Sequence, residues 1–192
     1  MGTAVSYLGE VVAGRDTLEI AAGTGIYTER LAPLAAGLTA LDASPESIEI
    51  NQRLAVRNDH QIDFVVDDVF SWSPPRRFEA IVFAFWLSHI PLQRFDEFWA
   101  IVEATLVAGG TVGFVDADAD HDIETVNGAP DIVAHQPPDE HVLIRKVRSG
   151  QEFPIVRIAW SRTSLGERLT RLGWAVEYAD YPSMLIGRAQ RA

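Results

Sequence analysis

From residue 17 onward, short apolar runs alternate with longer stretches in which apolar positions recur every three or four residues. The short runs predict strands at Thr17–Ala21, Leu38–Asp42, Ile62–Val66, Ala80–Phe85 and Thr111–Asp116. The stretches between them predict helices at about Tyr27–Ala35, Pro45–Asn58 and Gln93–Leu106, the last carried by Phe95, Phe98, Trp99, Val102 and Leu106. Strand and helix in alternation mean βαβ units with right-handed crossovers, hence a doubly wound, mostly parallel α/β sheet.

Local signals place some boundaries. Ser44 before Pro45 suits a helix start, with serine as the cap and proline in the first turn. Ala108-Gly109-Gly110 stops the helix before the fifth strand. Beyond Asp116 the pattern breaks. Residues 117–140 are acidic and turn-rich, with Asn127-Gly128 and Pro137-Pro138, and read as an insertion or lid on a single domain spanning 1–192. A hairpin of His141–Arg148 and Glu152–Trp160, a helix at Thr163–Leu172 and strands at Ala175–Tyr181 and Met184–Arg188 complete the chain and add antiparallel strands to the sheet.

Composition narrows the function classes. The 192 residues are 47% hydrophobic and 22% charged, as in a soluble globular domain, and no apolar run reaches the ~20 residues of a membrane span. A net charge of −11 argues against nucleic acid as a partner. With no cysteine and no basic, apolar leader at the N-terminus, the expected location is cytoplasmic. A small-molecule substrate is the expected partner, with neither nucleic acid nor membrane involved.

The chemical signal sits at the first strand. Leu18-Glu19-Ile20-Ala21-Ala22-Gly23-Thr24-Gly25 runs from a strand through small residues into a helix, so a ligand can approach the backbone closely. Seventeen residues after Gly25, Asp42 ends the second strand, where a carboxylate can accept from ribose hydroxyls. That much suits a nicotinamide dinucleotide and S-adenosylmethionine alike. The third strand ends in Asp67-Asp68-Val69, which adds carboxylates for an adenine amino group. The loop departs from G-x-G-x-x-G, with Ala21 first and Thr28 in the last place, and Glu19 would repel a pyrophosphate but attract the amino group of a methionine moiety.

Taken in order, LEIAAGTGIYTERLA, LDASPESI, DFVVDDVFSW, FEAIVFAFWLSHIP and FWAIVEATLVAGGTVGFVD resemble the motifs of class I S-adenosylmethionine-dependent methyltransferases, across most of the chain from Thr17. The resemblance implies a Rossmann-like fold with S-adenosylmethionine as cofactor. It implies Ala21, Gly23 and Gly25 against the methionine part, Asp42 on the ribose, Ala43 beside the adenine, and Asp68 with the Val69 backbone holding adenine. Asp67 stands where the family often has glycine; alignment favours Asp68 over it.

Methyl transfer from a sulfonium needs mainly alignment, with a base where the acceptor carries a proton. His89, in Trp86-Leu87-Ser88-His89-Ile90-Pro91 after the fourth strand, is the candidate base, and its alternative role is to hydrogen-bond the turn before Pro91. Phe85 and Trp86 are expected to line the transfer region or the core. Asp116, Asp118, Asp120 and Asp122 around His121 superficially resemble a calcium loop, but His121 and Asn127 occupy the places of its glycine and glutamate, so no metal site is expected. The family usually carries a longer helical segment ahead of the first strand, whereas sixteen residues precede Thr17 here. Either the lid comes from elsewhere, such as residues 117–140 or a partner subunit, or the site is more open than usual; a homo-oligomer or a partner subunit is the expected kind of assembly. Three readings follow: a methyltransferase acting on an O or N atom of a small molecule, an inactive or accessory methyltransferase-like subunit that needs a partner to complete its site, and a nicotinamide-dependent oxidoreductase.

Overall fold

The computed structural model describes residues 2–58, 60–119, 132–133, 142–146 and 150–192. Its main sheet contains β1 (Asp16–Ile20), β2 (Gly37–Asp42), β3 (Asp63–Val66), β4 (Phe78–Ala84), β5 (Leu106–Ala117), β9 (Trp174–Tyr178) and β10 (Met184–Arg191), in the order β3-β2-β1-β4-β5-β10-β9. The first five are parallel, and β10 runs antiparallel to both β5 and β9. The order reverses between β1 and β4, so the crevice of a doubly wound sheet opens at the C-terminal ends of these strands. A separate antiparallel sheet joins β6 (Ile132–Val133), β7 (Val142–Lys146) and β8 (Glu152–Val156). The expected hairpin is thus two strands of three, the third coming from within 117–140.

Period-two alternation on β4 divides the core. Ala80 and Val82 face a layer containing α1 (Gly2–Val12) and α2 (Thr28–Leu31), with Leu8, Val12, Tyr27 and Leu31 buried against them. Ile81 and Phe83 face the other layer, formed by α4 (Phe95–Thr105) and α5 (Arg162–Arg171), through Phe98, Trp99, Leu165 and Leu169. That second layer is aromatic: Phe83 meets Phe98 edge-on at 5.4 Å between centroids, and Trp99 meets Trp174 at 5.0 Å. Such pairs contribute about 0.5–1.5 kcal/mol each beyond area burial. On the first layer α1 lies close to β5 because Gly113 has no side chain; a Cβ there would come within 2.9 Å of Leu8 and 3.2 Å of Val11. The short N-terminal segment is therefore a core layer of the sheet.

α3 (Pro45–Arg57) begins as expected, with Ser44 Oγ accepting from the Ser47 amide at 3.1 Å and Pro45 in the first turn. Two boundaries differ. The helix expected over Tyr27–Ala35 is confined to Thr28–Leu31, since Pro33 has no N–H to continue the ladder. α4 ends at Thr105, and β5 begins at once: Leu106 pairs with Phe78 and Thr111 with Ala80, so residues 107–110 loop out between them. The glycine pair expected to stop the helix lies in this bulge, with Gly109 at φ 75°. Among the described residues no helix is long and apolar enough to cross a membrane.

Candidate active site

The chain turns sharply after β1. Ala21 adopts φ 55°, Gly23 φ 55° and Gly25 φ 93°, three left-handed residues in five. For an alanine this costs about 1–2 kcal/mol, so neighbouring groups must hold it. Asp42, at the end of β2, does so from the side: its Oδ2 accepts from the Gly23 amide at 2.8 Å and its Oδ1 from the Ser44 amide at 2.9 Å. From below, the Gly25 amide donates to the Ala22 carbonyl at 3.2 Å and the Ala22 amide to the Leu41 carbonyl at 3.1 Å.

A residue missed in the sequence braces the same loop. Asn51 is buried in the middle of α3, and its Nδ2 donates to Thr28 Oγ1 at 2.9 Å and towards the Gly23 carbonyl at 3.5 Å. It shares its helix face with buried Ile48 and Ala55, so an asparagine on an otherwise apolar stripe was the available signal. Asn51 also leaves no room at Gly25, where a Cβ would stand 2.6 Å from its Cγ.

Beside this loop opens a cleft lined by Ile20, Ala21, Leu41, Asp42, Ala43, Asp67, Asp68, Val69 and Trp86. Six of the candidate positions, Ala21, Asp42, Ala43, Asp67, Asp68 and Val69, meet here. Ile20, Leu41 and Trp86 give it apolar walls. The two adjacent acids differ in what they hold: Asp67 Oδ1 accepts from the Asp68 amide at 2.8 Å, and Asp68 Oδ1 from the Phe70 amide at 3.0 Å. Each has a second carboxylate oxygen for a ligand. Trp86 Nε1 is buried without a partner among the described residues. The cleft can accept a ligand that combines a flat apolar ring, hydroxyls and amino donors.

Five candidates lie outside that lining: Gly23, Gly25, Phe85, Glu19 and His89. Gly23 and Gly25 shape the loop behind it. Phe85 continues from β4 with φ 54°, its amide donating to the Val115 carbonyl at 2.7 Å, and its ring sits 41% exposed, 6.5 Å from the ring of Tyr27. Of the two aromatics expected at the transfer region or in the core, Trp86 is in the lining of the cleft and Phe85 is not. Glu19 is in the sheet interior, 4% exposed, with Thr28 as its side-chain hydrogen-bond partner and Oε2 unpartnered among the described residues. Burial pushes its carboxyl up to about 8, and the nearby charge of Asp42 adds to the shift against the Thr28 hydrogen bond. Glu19 is thus mostly protonated at neutral pH.

His89 ends a tight turn of 3-10 helix, Leu87–His89, directly after β4. Its Nδ1 lies 2.8 Å from the Val156 carbonyl at the end of β8. A carbonyl only accepts, so Nδ1 carries the proton and, in the neutral ring, Nε2 is the free base. Asp116, near the end of β5, and Asp118, just after it, are both buried. Asp116 accepts from the Ser88 amide at 2.9 Å and the Ala117 amide at 2.8 Å, and Asp118 pairs with Arg162 at 3.4 Å. Asp120, His121 and Asp122, like most of the expected lid, lie outside the described residues.

The family model described as "Methyltransferase domain" matches residues 17–110. Two solved structures of DhpI superpose over 99% of this chain: its complex with S-adenosylhomocysteine, at TM-score 0.80 and 34% identity over 83% of that chain, and its complex with S-adenosylmethionine and HEP, at 0.79 and 35% over 86%. Nodulation protein S of Rhizobium tropici is 38% identical over 69 residues, 36% of this chain and 29% of its own length.

Two outcomes are expected from this geometry. Gly25→Ala should lower stability by about 1–3 kcal/mol, read as a fall of roughly 2–12 °C in Tm for a chain of this size. For Glu19 the folded carboxyl titrates near 8 against 4.5 unfolded, so the native state binds the proton more tightly. Its contribution lowers the unfolding free energy as pH rises through that window, by on the order of 3–5 kcal/mol in all. Urea unfolding across the window should therefore decline less steeply in Glu19→Gln than in the wild type, and an identical pH slope would contradict the buried acid.

Proposed function

The chain belongs to the class I S-adenosylmethionine-dependent methyltransferases, and we propose that it transfers a methyl group to an oxygen or nitrogen atom of a small-molecule acceptor. The observation that carries the cofactor assignment to individual residues is the unpartnered buried oxygen of Glu19 behind a cleft whose rim carries Asp42, Asp67 and Asp68. A buried acid costs free energy unless a partner repays it, and the ammonium of a methionine moiety is a partner of the right charge. The donor set therefore fits S-adenosylmethionine.

In this reading Asp42 accepts from the ribose hydroxyls, using lone pairs that the Gly23 and Ser44 amides leave free. Ala43 and the apolar walls of Ile20 and Leu41 receive the adenine, and Asp68 with the Val69 backbone binds its polar edge; Asp67, held by its own neighbour's amide, shapes the turn and is the second choice. Ala21, Gly23 and Gly25 let the methionine part reach the backbone. S-adenosylmethionine, when bound, supplies a methyl group on a sulfonium, an electrophile with its leaving group already activated. His89 Nε2 takes the proton from the acceptor atom as the new bond forms, while Nδ1–H stays on the Val156 carbonyl. The net charge of −11 favours a small molecule over nucleic acid.

Isothermal calorimetry with S-adenosylhomocysteine tests the cofactor assignment. Asp42→Ala and Asp68→Ala should each weaken binding at least about tenfold, as expected for loss of one hydrogen bond to a charged group. Near neutral pH, titrations in buffers of different ionisation enthalpy should report release of close to one proton on binding, and Glu19→Gln should abolish it. Undiminished affinity in both aspartate variants would refute this placement of the cofactor. Once an acceptor is found by screening with the wild type, His89→Gln should lower kcat about 100-fold or more with cofactor affinity unchanged.

A further inference from the structure

Asp116 is 0% exposed and Ser88 2%, yet both are polar and lie at the ligand-binding end of the sheet. Burial pushes the Asp116 carboxyl up, opposed by bonds from the Ser88 amide, the Ala117 amide and the Ser88 hydroxyl, and by the charge of Arg157. The Ser88 amide bond holds the middle of the 3-10 turn that carries His89.

The same serine also gathers the chain that touches the His89 ring. Its carbonyl accepts from the Ile158 amide at 2.7 Å, and its Oγ accepts from Arg157 Nη1 at 2.9 Å. Trp160 Nε1 adds a bond to the Leu87 carbonyl at 3.2 Å. Residues 156–160 are thereby laid along the turn, and the carbonyl that orients His89, that of Val156, is the next one along from Arg157. Both supports of the imidazole, its own backbone and its hydrogen-bond acceptor, converge on Ser88, which rests on Asp116. Of Arg157's five donors, the bond to Ser88 is the one made among the described residues; since Nη1 fills one lone pair of Oγ, the hydroxyl proton is left to the carboxylate.

We propose that Asp116, acting through Ser88, is the positioning residue for His89, fixing the turn so that Nδ1–H is held on the Val156 carbonyl and Nε2 faces the acceptor as the unprotonated nitrogen. Its catalytic consequence rests on the reading of His89 as the base; its structural consequence, the tautomer, does not. A carboxylate buried at this point is costly to desolvate, and an apolar residue would fill the space between β5 and the turn without that cost. What the acid adds is a direction for the Ser88 amide and hydroxyl.

The test is the tautomer of His89, read by long-range proton–nitrogen correlation spectra of histidine-labelled protein in mildly alkaline buffer, with the resonance assigned by its loss in His89→Gln. In the wild type the Nδ1–H form should dominate. Asp116→Asn, which keeps the shape but not the second acceptor oxygen, should raise the Nε2–H population roughly tenfold. Ser88→Ala keeps the Ser88 amide and removes the hydroxyl with its links to both Asp116 and Arg157. It should shift the tautomer in the same direction and further than Arg157→Ala, which removes the guanidinium alone. That comparison decides the matter if Asp116→Asn does not fold, an equal shift in the two assigning the effect to Arg157 and overturning the proposal. S-adenosylhomocysteine affinity should stay within about twofold of the wild type in the folded variants, separating a local change from general damage. A wild-type tautomer ratio in Ser88→Ala overturns the proposal, even if His89→Gln abolishes methyl transfer and so upholds the base. A shifted ratio with undiminished transfer in His89→Gln upholds the positioning and rejects the base.

Discussion

The hydrogen bond from the Gly23 amide to Asp42 Oδ2 joins the loop after β1 to the end of β2, and the shape of the cleft follows from it. Parallel strands end with backbone groups that have no further partner in the sheet, and a tight turn above them exposes more. One carboxylate satisfies the Gly23 and Ser44 amides together, so it sets the loop and the start of α3 in a single contact. Charge-assisted bonds of this kind contribute about 1.5–3 kcal/mol each, enough to offset the left-handed backbone of Ala21. Asp42 is therefore a structural member of the site before any ligand arrives, and ribose hydroxyls would meet an acceptor already oriented.

Around that loop the protein places polar groups where its neighbours are apolar. Glu19, Asn51, Asp116 and Asp118 are buried, and each is handled differently. Asn51 is spent on the loop and on Thr28. Asp118 pairs with Arg162, which also donates to the Tyr181 carbonyl at 2.6 Å and so ties the exit of β5 to the chain before β10. Glu19 alone keeps an oxygen without a partner among these four, and it is the one behind the cleft. An unmet demand on a carboxylate buried beside Thr28, next to the loop that shapes the cleft, is more readily explained by a ligand than by packing.

Much of this was readable in one dimension. The first four strands were found to within a few residues because each is a short apolar run bounded by turn residues, whereas β5 begins five residues before the expected Thr111; Asp42 stood out because an acid at a strand end is conspicuous. The α4 to β5 transition was less accessible: Gly109 and Gly110 signal a break, but a helix stop and a bulge within a strand use glycine for the same reason, and the pairing of Leu106 with Phe78 distinguishes them. Phe85 and Trp86 are adjacent aromatics that the sequence does not tell apart, and the folded chain puts Trp86 in the lining of the cleft and Phe85 outside it.

The sequence by itself determined the alternation of strands and helices, the sheet they build, and the positions along the chain from which most of the cleft lining is drawn. These depend on periodicity and on short spacings, which the chain states locally. Only the tertiary structure decided how each polar residue is used. It brought Asn51 under Gly25, put Glu19 out of reach of water, and set Asp116, Ser88, Arg157 and Val156 around His89. Those contacts join residues 26 to 69 positions apart, and their energies come from desolvation and hydrogen-bond geometry, neither of which exists until the sheet has formed.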